Sequence, residues 1–239
     1  MFRNRCLQNN FSSSKNISHV LMDGGVLSVP FDRLDNFYQI CVQCIKEGEK
    51  IFVVEQKTQC YNFFLDIDYK DTVVLDIDQI QPISKTIFSK VKNFCKDDQK
   101  VIVSVSKPKK KDGLIKTGIH INFPDLFVDQ HGAIQLMYHI IHTLNNIYPD
   151  IDWFKYIDPS VYGSLNNKTK GSGFRMPWSH KRSKHEECKG QGCESCNQSG
   201  KITENEYLPI FMLYQNEEIL LSQEPTVEML HLTTVRSSR

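Results

Sequence analysis

Eight residues, Phe63-Phe-Leu-Asp-Ile-Asp-Tyr-Lys70, alternate in a way that suits an extended strand and no helix. Side chains two apart on a strand share a face. Phe63, Leu65, Ile67 and Tyr69 therefore project to one side, and Phe64, Asp66 and Asp68 to the other. The apolar row demands a covering layer. The two carboxylates, with Cα atoms about 6.5–7 Å apart, project together from the opposite side. That spacing suits a shared pair of divalent ions, which stand about 3.5–4 Å apart in two-metal sites. Taken alone, the pair fits a solvated strand end equally well.

The same four letters, Leu-Asp-Ile-Asp, recur at 75–78. Apolar residues at 80, 83, 87, 91 and 94 predict a helix directly after them, with Pro82 in its first turn. Asp76 and Asp78 then read as residues that satisfy free N–H groups and the helix dipole. The first pair is the candidate for chemistry.

Around it the elements are mixed. Helical spacing covers 31–48 and 133–148. Strands are predicted at 50–56, 59–68, 101–106, 114–123 and 208–214, the first two as a hairpin. The first thirty residues are polar, with a turn at Asp23-Gly24-Gly25. This order fits an α/β or α+β fold built mainly on antiparallel strands. The length of 239 residues allows one large domain or two small ones. His231 to Arg239 carries no closing signal, so a further segment is expected after it.

No apolar run reaches the roughly eighteen residues of a membrane span, and the first residues lack a signal-peptide core. An intracellular, reducing location with no membrane association is expected. Eight cysteines there read as metal ligands or core residues rather than disulfides. Cys41 and Cys44 share a helix face and read as core; Cys6, Cys60 and Cys95 stand singly. The net charge of +1 favours no partner, so the distribution of charge must decide.

In Lys116 to Phe123, Ile119, Ile121 and Phe123 face a core and leave Gly118, His120 and Asn122 on the other side. His120 there meets a phosphate or a metal, or is structural. Asp158 follows an aromatic junction (Trp153, Phe154, Tyr156). Between 165 and 184 there are six Lys or Arg and no Asp or Glu. Gly171 and Gly173 would allow close backbone approach, and Arg175, Lys181 and Arg182 are candidates for binding a polyphosphate. The alternative is a solvated basic loop. The run KPKKK (107–111) is either a solvated hairpin tip or a contact to a nucleic-acid backbone. Three acids beside a concentrated basic stretch form the composition of a metal-dependent phosphoryl-transfer site.

His185, Cys188, Cys193 and Cys196 follow the pattern H-x2-C-x4-C-x2-C. Four soft ligands with intervening glycines suit tetrahedral Zn²⁺, the histidine being either His185 or His180. So short a segment has no apolar core of its own, so metal binding would supply its folding free energy.

Together, Asp66-Ile67-Asp68, Gly118-Ile119-His120, Asp158, Val161-Tyr162, Phe174-Arg175-Met176 and Ser179-His180-Lys181 resemble, in order, the motifs of the archaeo-eukaryotic primase superfamily. The likeness spans about 50–185 and is nearest to the N-terminal primase domains of primase–helicases from large nucleocytoplasmic DNA viruses. It implies an RRM-like antiparallel sheet carrying the catalytic acids, packed with helices. It also implies one catalytic domain over 1–239: a segment and helix at 1–49, a core at 50–184, a zinc knuckle at 185–200, and a strand and tail at 201–239. By resemblance, Asp66, Asp68 and Asp158 hold two Mg²⁺ or Mn²⁺ ions. His120, Arg175, Lys181 and Ser179 meet the phosphates of an incoming NTP or dNTP. Single-stranded DNA is the template, primer synthesis the activity, with DNA polymerase ability a possible addition. A helicase follows, and the site of action is the host cytoplasm or nucleus. The departure is Gly118, where many relatives have serine; Thr117 or backbone N–H groups would have to substitute. Two other classes fit the residues: a metal-dependent nuclease, and a non-catalytic zinc-bearing DNA-binding module.

Overall fold

Residues 1–95, 99–215 and 217–238 are described by a computed structural model. Its first third holds α1 (Phe2–Gln8), β1 (His19–Leu21), β2 (Val26–Leu27), α2 (Leu34–Lys46), β3 (Val53–Glu55) and β4 (Tyr61–Asp71). Then come α3 (Ile77–Lys92), β5 (Val101–Ser106), β6 (Lys109–Lys111), β7 (Leu114–Val128) and α4 (Gln130–Ile147). The last third adds β8 (Phe174–Arg175), β9 (Lys181–Lys184), β10 (Lys201–Glu204), β11 (Tyr207–Tyr214), β12 (Glu217–Leu220) and α5 (Val227–Thr233). The architecture is mixed α/β with antiparallel sheets.

The larger sheet runs β12-β11-β5-β7-β4, with β6 paired to β7 and every neighbour antiparallel. One face carries Phe63, Leu65, Ile67, Ile119, Ile121 and Val103, all buried with Ile83 and Ile87 of α3 and Met137, Ile140 and Leu144 of α4. Each such side chain contributes about 1.5–3 kcal/mol by leaving water, so the helix layer fixes which face of β4 turns inward. Helix α3 begins with a reciprocal cap: Gln79 N–H donates to Asp76 Oδ1 at 3.0 Å and Asp76 N–H to Gln79 Oε1 at 3.1 Å. At α4 the Asp129 carboxylate accepts from Gly132 N–H at 2.8 Å.

A smaller sheet, β2-β1-β3-β8, packs with α1, α2 and α5 around Phe2, Phe37, Tyr38, Val53, Met176 and Leu230. Cys41 and Cys44 lie fully buried in this cluster, as the core reading of that pair expects. Where the two sheets meet, the buried Glu55 carboxylate accepts from Tyr38 Oη (3.2 Å), Thr234 Oγ1 (2.6 Å) and Val235 N (2.8 Å), which ties the end of the chain to β3. No described helix is long and apolar enough to cross a membrane.

Four sequence expectations change. Strand β3 pairs with β1 and β8, not with β4, so no hairpin joins 50–56 to 59–68. Helix α3 starts at Ile77, which puts Asp78 inside its first turn and Pro82 in its second. The polar first thirty residues contribute α1, β1 and β2. Part of the basic run is strand β6, folded back on β7 through Asp112 and Gly113.

Candidate active site and metal cluster

The face of β4 away from the helices opens into a cleft of about 560 Å³ at the seam of the sheets. Register fixes what meets there. Asp66 pairs with His120 and Asp68 with Gly118 across β4 and β7, so all four stand on one face. On the other side of β4, Ile67 bridges Ile157; Asp158 N–H donates to the Asp66 carbonyl at 3.1 Å and Asp68 N–H to the Tyr156 carbonyl at 2.7 Å. Asp158 is thereby set against Asp66 by backbone hydrogen bonds. It stands outside the cleft lining, and its Oδ1 accepts from Ser160 N–H at 2.8 Å.

The electrostatics are strained in a way that a cation would relieve. Burial pushes Asp66 up to about 7; Asp68 and Asp158 add to that push, while Lys116 and Arg175 oppose it. Asp66 Oδ1 is buried with no hydrogen-bond partner among the described residues. An orphaned carboxylate oxygen beside further carboxylates is a hard-oxygen donor set of the kind that fits Mg²⁺ or Mn²⁺. Lys116 Nζ contacts Asp68 Oδ2 at 2.5 Å.

His120 is clamped between two rings, Tyr207 at 3.5 Å and Phe174 at 4.1 Å between centroids, both stacked. Burial, then Arg175 and Lys116, hold its pKa well below the ordinary histidine value. The imidazole is therefore neutral, and the 3.6 Å approach of Nε2 to Asp66 Oδ1 is not an ion pair. Arg175 arrives on β8, donates to the Asn205 carbonyl at 2.9 Å, and lies 4.5 Å over the Tyr207 ring. Lys181, at the start of β9, lines the cleft with Lys107, Lys109 and Lys110. The KPKKK run is thus a cleft wall, with Lys109 paired to Glu204.

Of the other sequence candidates Gly173 lines the cleft, while Thr117, Ser179, Arg182 and Gly171 fall elsewhere. Thr117 pairs with Tyr69 and so stands on the helix face; the sheet separates its buried hydroxyl from the cleft, which removes it as a stand-in for serine. Ser179 is fully buried, bridged to Ile51 and outside the cleft lining. Arg182 alternates away from Lys181 and donates to Thr203 Oγ1 at 2.7 Å. Gly171 and Gly173 face their own chain: a Cβ at 171 would overlap Gly163 N and the Val161 carbonyl, and one at 173 the Glu55 carbonyl. Their close approach is internal. Lys57 closes the same loop, donating to the carbonyls of Val161 and Ser172.

Lys116 and Tyr207 are among the cleft residues that the sequence did not single out. Lys116 carried a usable signal, since it shares the β7 face of Gly118 and His120. Tyr207 carried none, because its place depends on β11 pairing with β5.

The second centre lies between β9 and β10. One ligand atom each from His185, Cys188, Cys193 and Cys196 fall within 4.8 Å of one another. The Cys188–Cys196 and Cys193–Cys196 sulfur separations are 3.9 and 3.7 Å, and His185 Nδ1 lies 3.4 and 3.3 Å from Cys188 and Cys193 Sγ. A tetrahedron with Zn–S bonds of about 2.3 Å has S–S edges of about 3.8 Å, so the cluster fits zinc. His180 is engaged elsewhere, with Nε2 at 3.1 Å from Glu206. Burial pushes the Cys196 thiol up, but backbone N–H groups of Cys193 and Gly200 and the Cys193 and His185 side chains bring it down to about 6, which favours the thiolate a metal needs.

Among curated proteins none matches the chain. A family model described as the C962R protein N-terminal AEP domain matches residues 18–189, which takes in the strands that carry Asp66, Asp68, His120 and Arg175 and two of the four cluster residues, His185 and Cys188. The chain therefore belongs to the archaeo-eukaryotic primase superfamily, in the branch of the N-terminal domains of viral primase–helicases.

Proposed function

We propose that this chain is a DNA-dependent primase, a nucleotidyltransferase that joins NTPs, or dNTPs, on a single-stranded DNA template. One observation carries the reading. Asp66 and Asp68 share a sheet face with His120, next to Asp158, and look into a cleft walled by Arg175, Lys181, Lys116 and Lys109. Divalent ions held by Asp66, Asp68 and Asp158 would supply Lewis-acid polarisation of the reacting phosphate and activation of the attacking 3′-hydroxyl.

The chain's own groups do the rest. Arg175 and Lys181 bind and orient the triphosphate, Arg175 through its planar fork. Neutral His120, locked by its two stacked rings, offers one ring N–H to a phosphate oxygen. Lys116 holds the Asp68 carboxylate in place. Lys107 and Lys110 face the template backbone, so each should account for about one unit of the salt dependence of binding. The cluster of His185, Cys188, Cys193 and Cys196 holds one structural Zn²⁺, fixing the β9–β10 hairpin whose first residue is Lys181. A helicase segment following residue 239, an intracellular site of action and a single catalytic domain belong to the same reading.

The test is incubation with single-stranded DNA, Mg²⁺ or Mn²⁺, and labelled NTPs or dNTPs supplied separately. Products that lengthen with time support a primase. A template that shortens instead indicates a nuclease. DNA binding that survives loss of all three acids, without incorporation, indicates a non-catalytic module. Metal analysis of a chelator-free preparation should find about one zinc per chain; less than half would count against the knuckle.

A further inference from the structure

Gly118 is a glycine in the middle of a buried strand, where it weakens the sheet unless something needs the space. Its φ is not in the left-handed region, so backbone conformation is not the reason. The reason is Tyr207. A Cβ at 118 would overlap the Tyr207 hydroxyl and lie 2.8 Å from Ser106 Oγ. Tyr207 comes from β11, two strands away from β7, and its ring crosses to stack on His120 at 3.5 Å. Its hydroxyl thus occupies the cleft-face position of residue 118, opposite Asp68, and Arg175 lies over its ring.

We propose that Tyr207 is a nucleotide-binding residue whose hydroxyl, set in the gap left by Gly118, donates a hydrogen bond to the triphosphate that Arg175 grips. The inference rests on the nucleotidyltransferase reading of the cleft. Burial holds the phenol's pKa far above its ordinary value, so the group remains a donor at every working pH. The His120 imidazole stacked on its ring and the Arg175 guanidinium over it fix its direction, and the missing side chain at 118 leaves it unobstructed. The tyrosine and the glycine form one device: either substitution alone breaks it.

The test is binding of ATP, dATP and inorganic tripolyphosphate by calorimetry with Mn²⁺, together with KM and kcat in primer extension. Tyr207→Phe keeps the stack on His120 and removes only the hydroxyl. It should weaken ATP and tripolyphosphate alike by about 10- to 100-fold, the range for a hydrogen bond to a charged group. KM should rise in step and kcat stay within about threefold. Gly118→Ser alone should lose binding by displacing the phenol, whereas Gly118→Ser in a Tyr207→Leu background should recover part of it by supplying a hydroxyl from the other strand. Zinc content and melting temperature serve as the control for folding. Tyr207→Phe that binds tripolyphosphate within twofold of wild type overturns the proposal and leaves the reading of the cleft standing. An effect on ATP against dATP, with none on tripolyphosphate, overturns it in favour of a sugar contact. Wild-type protein that binds no nucleotide at all overturns the reading of the cleft, and the proposal with it.

Discussion

The segments 65–68 and 75–78 are both Leu-Asp-Ile-Asp, and they do opposite things. At 75–78 the backbone is about to enter a helix, and Asp76 finds the donors it needs in its own next turn. At 65–68 the backbone is extended inside a sheet, whose N–H groups are spent on neighbouring strands, so Asp66 keeps a buried oxygen with no donor among the described residues. A satisfied carboxylate stabilises the fold. An unsatisfied one, crowded by Asp68 and Asp158, carries an electrostatic cost that, on the proposed reading, a divalent cation would relieve. Identical letters acquire different chemistry because the backbone period decides what lies within reach.

The sharpest way to break the contrast is to neutralise one acid in each copy. Asp66→Asn or Asp68→Asn should lower primer synthesis by about a thousandfold or more, since metal-assisted charge stabilisation is worth several kcal/mol. Asp76→Asn should leave the rate within about twofold.

Cation binding gives the next largest effect. Mn²⁺ at a hundred times its dissociation constant should stabilise the protein by about 2.7 kcal/mol, read as a raised Tm. The gain should vanish in Asp66→Asn and persist in Asp76→Ala. Acidity acts on the same group. The fold holds Asp66's proton more tightly than the unfolded chain does, with the group raised to about 7. Its stabilising contribution is complete below the ordinary value near 4 and is lost as pH rises through about 7. The metal-free protein should therefore show a urea midpoint that falls over this window, and Asp66→Asn a flatter profile.

At the second copy the effects are structural and smaller. Asp76→Ala should cost about 1 kcal/mol through the lost cap, lowering Tm by about 2–4 °C without touching activity. Asp78→Ala, inside the first turn of α3, should cost about 0.3–1 kcal/mol, measured by urea titration. A rate defect in either variant would erase the distinction between the two copies.

Local periodicity made much of this legible. The alternation at 63–70 marked the face of β4, the 3.6-residue spacing marked α2, α3 and α4, and the H-x2-C-x4-C-x2-C spacing marked the residues that converge between β9 and β10. What failed depended on long-range pairing. Val53–Glu55 looked like the partner of β4 because it precedes it, yet it joins the other sheet through His19–Leu21. The lysines at 109–111 looked like a loop because Lys has little strand preference, and β7 recruits them only by folding back at Gly113. Tyr207 is invisible at 89 positions' remove from Gly118. Thr117 was misassigned by proximity in sequence, although alternation alone puts it on the wrong side of the strand.

The pairing of β4 with both β7 and the 156–158 segment has an implication for engineering the chain. Asp66, Asp68, Gly118 and His120 are in phase across β4 and β7, and a strand has a period of two. One added or deleted residue between Phe64 and Asp68 would move the frame by half a period. Ile67 would then face the cleft and a carboxylate would be driven into the helix layer, so this stretch should tolerate substitutions far better than any change in length.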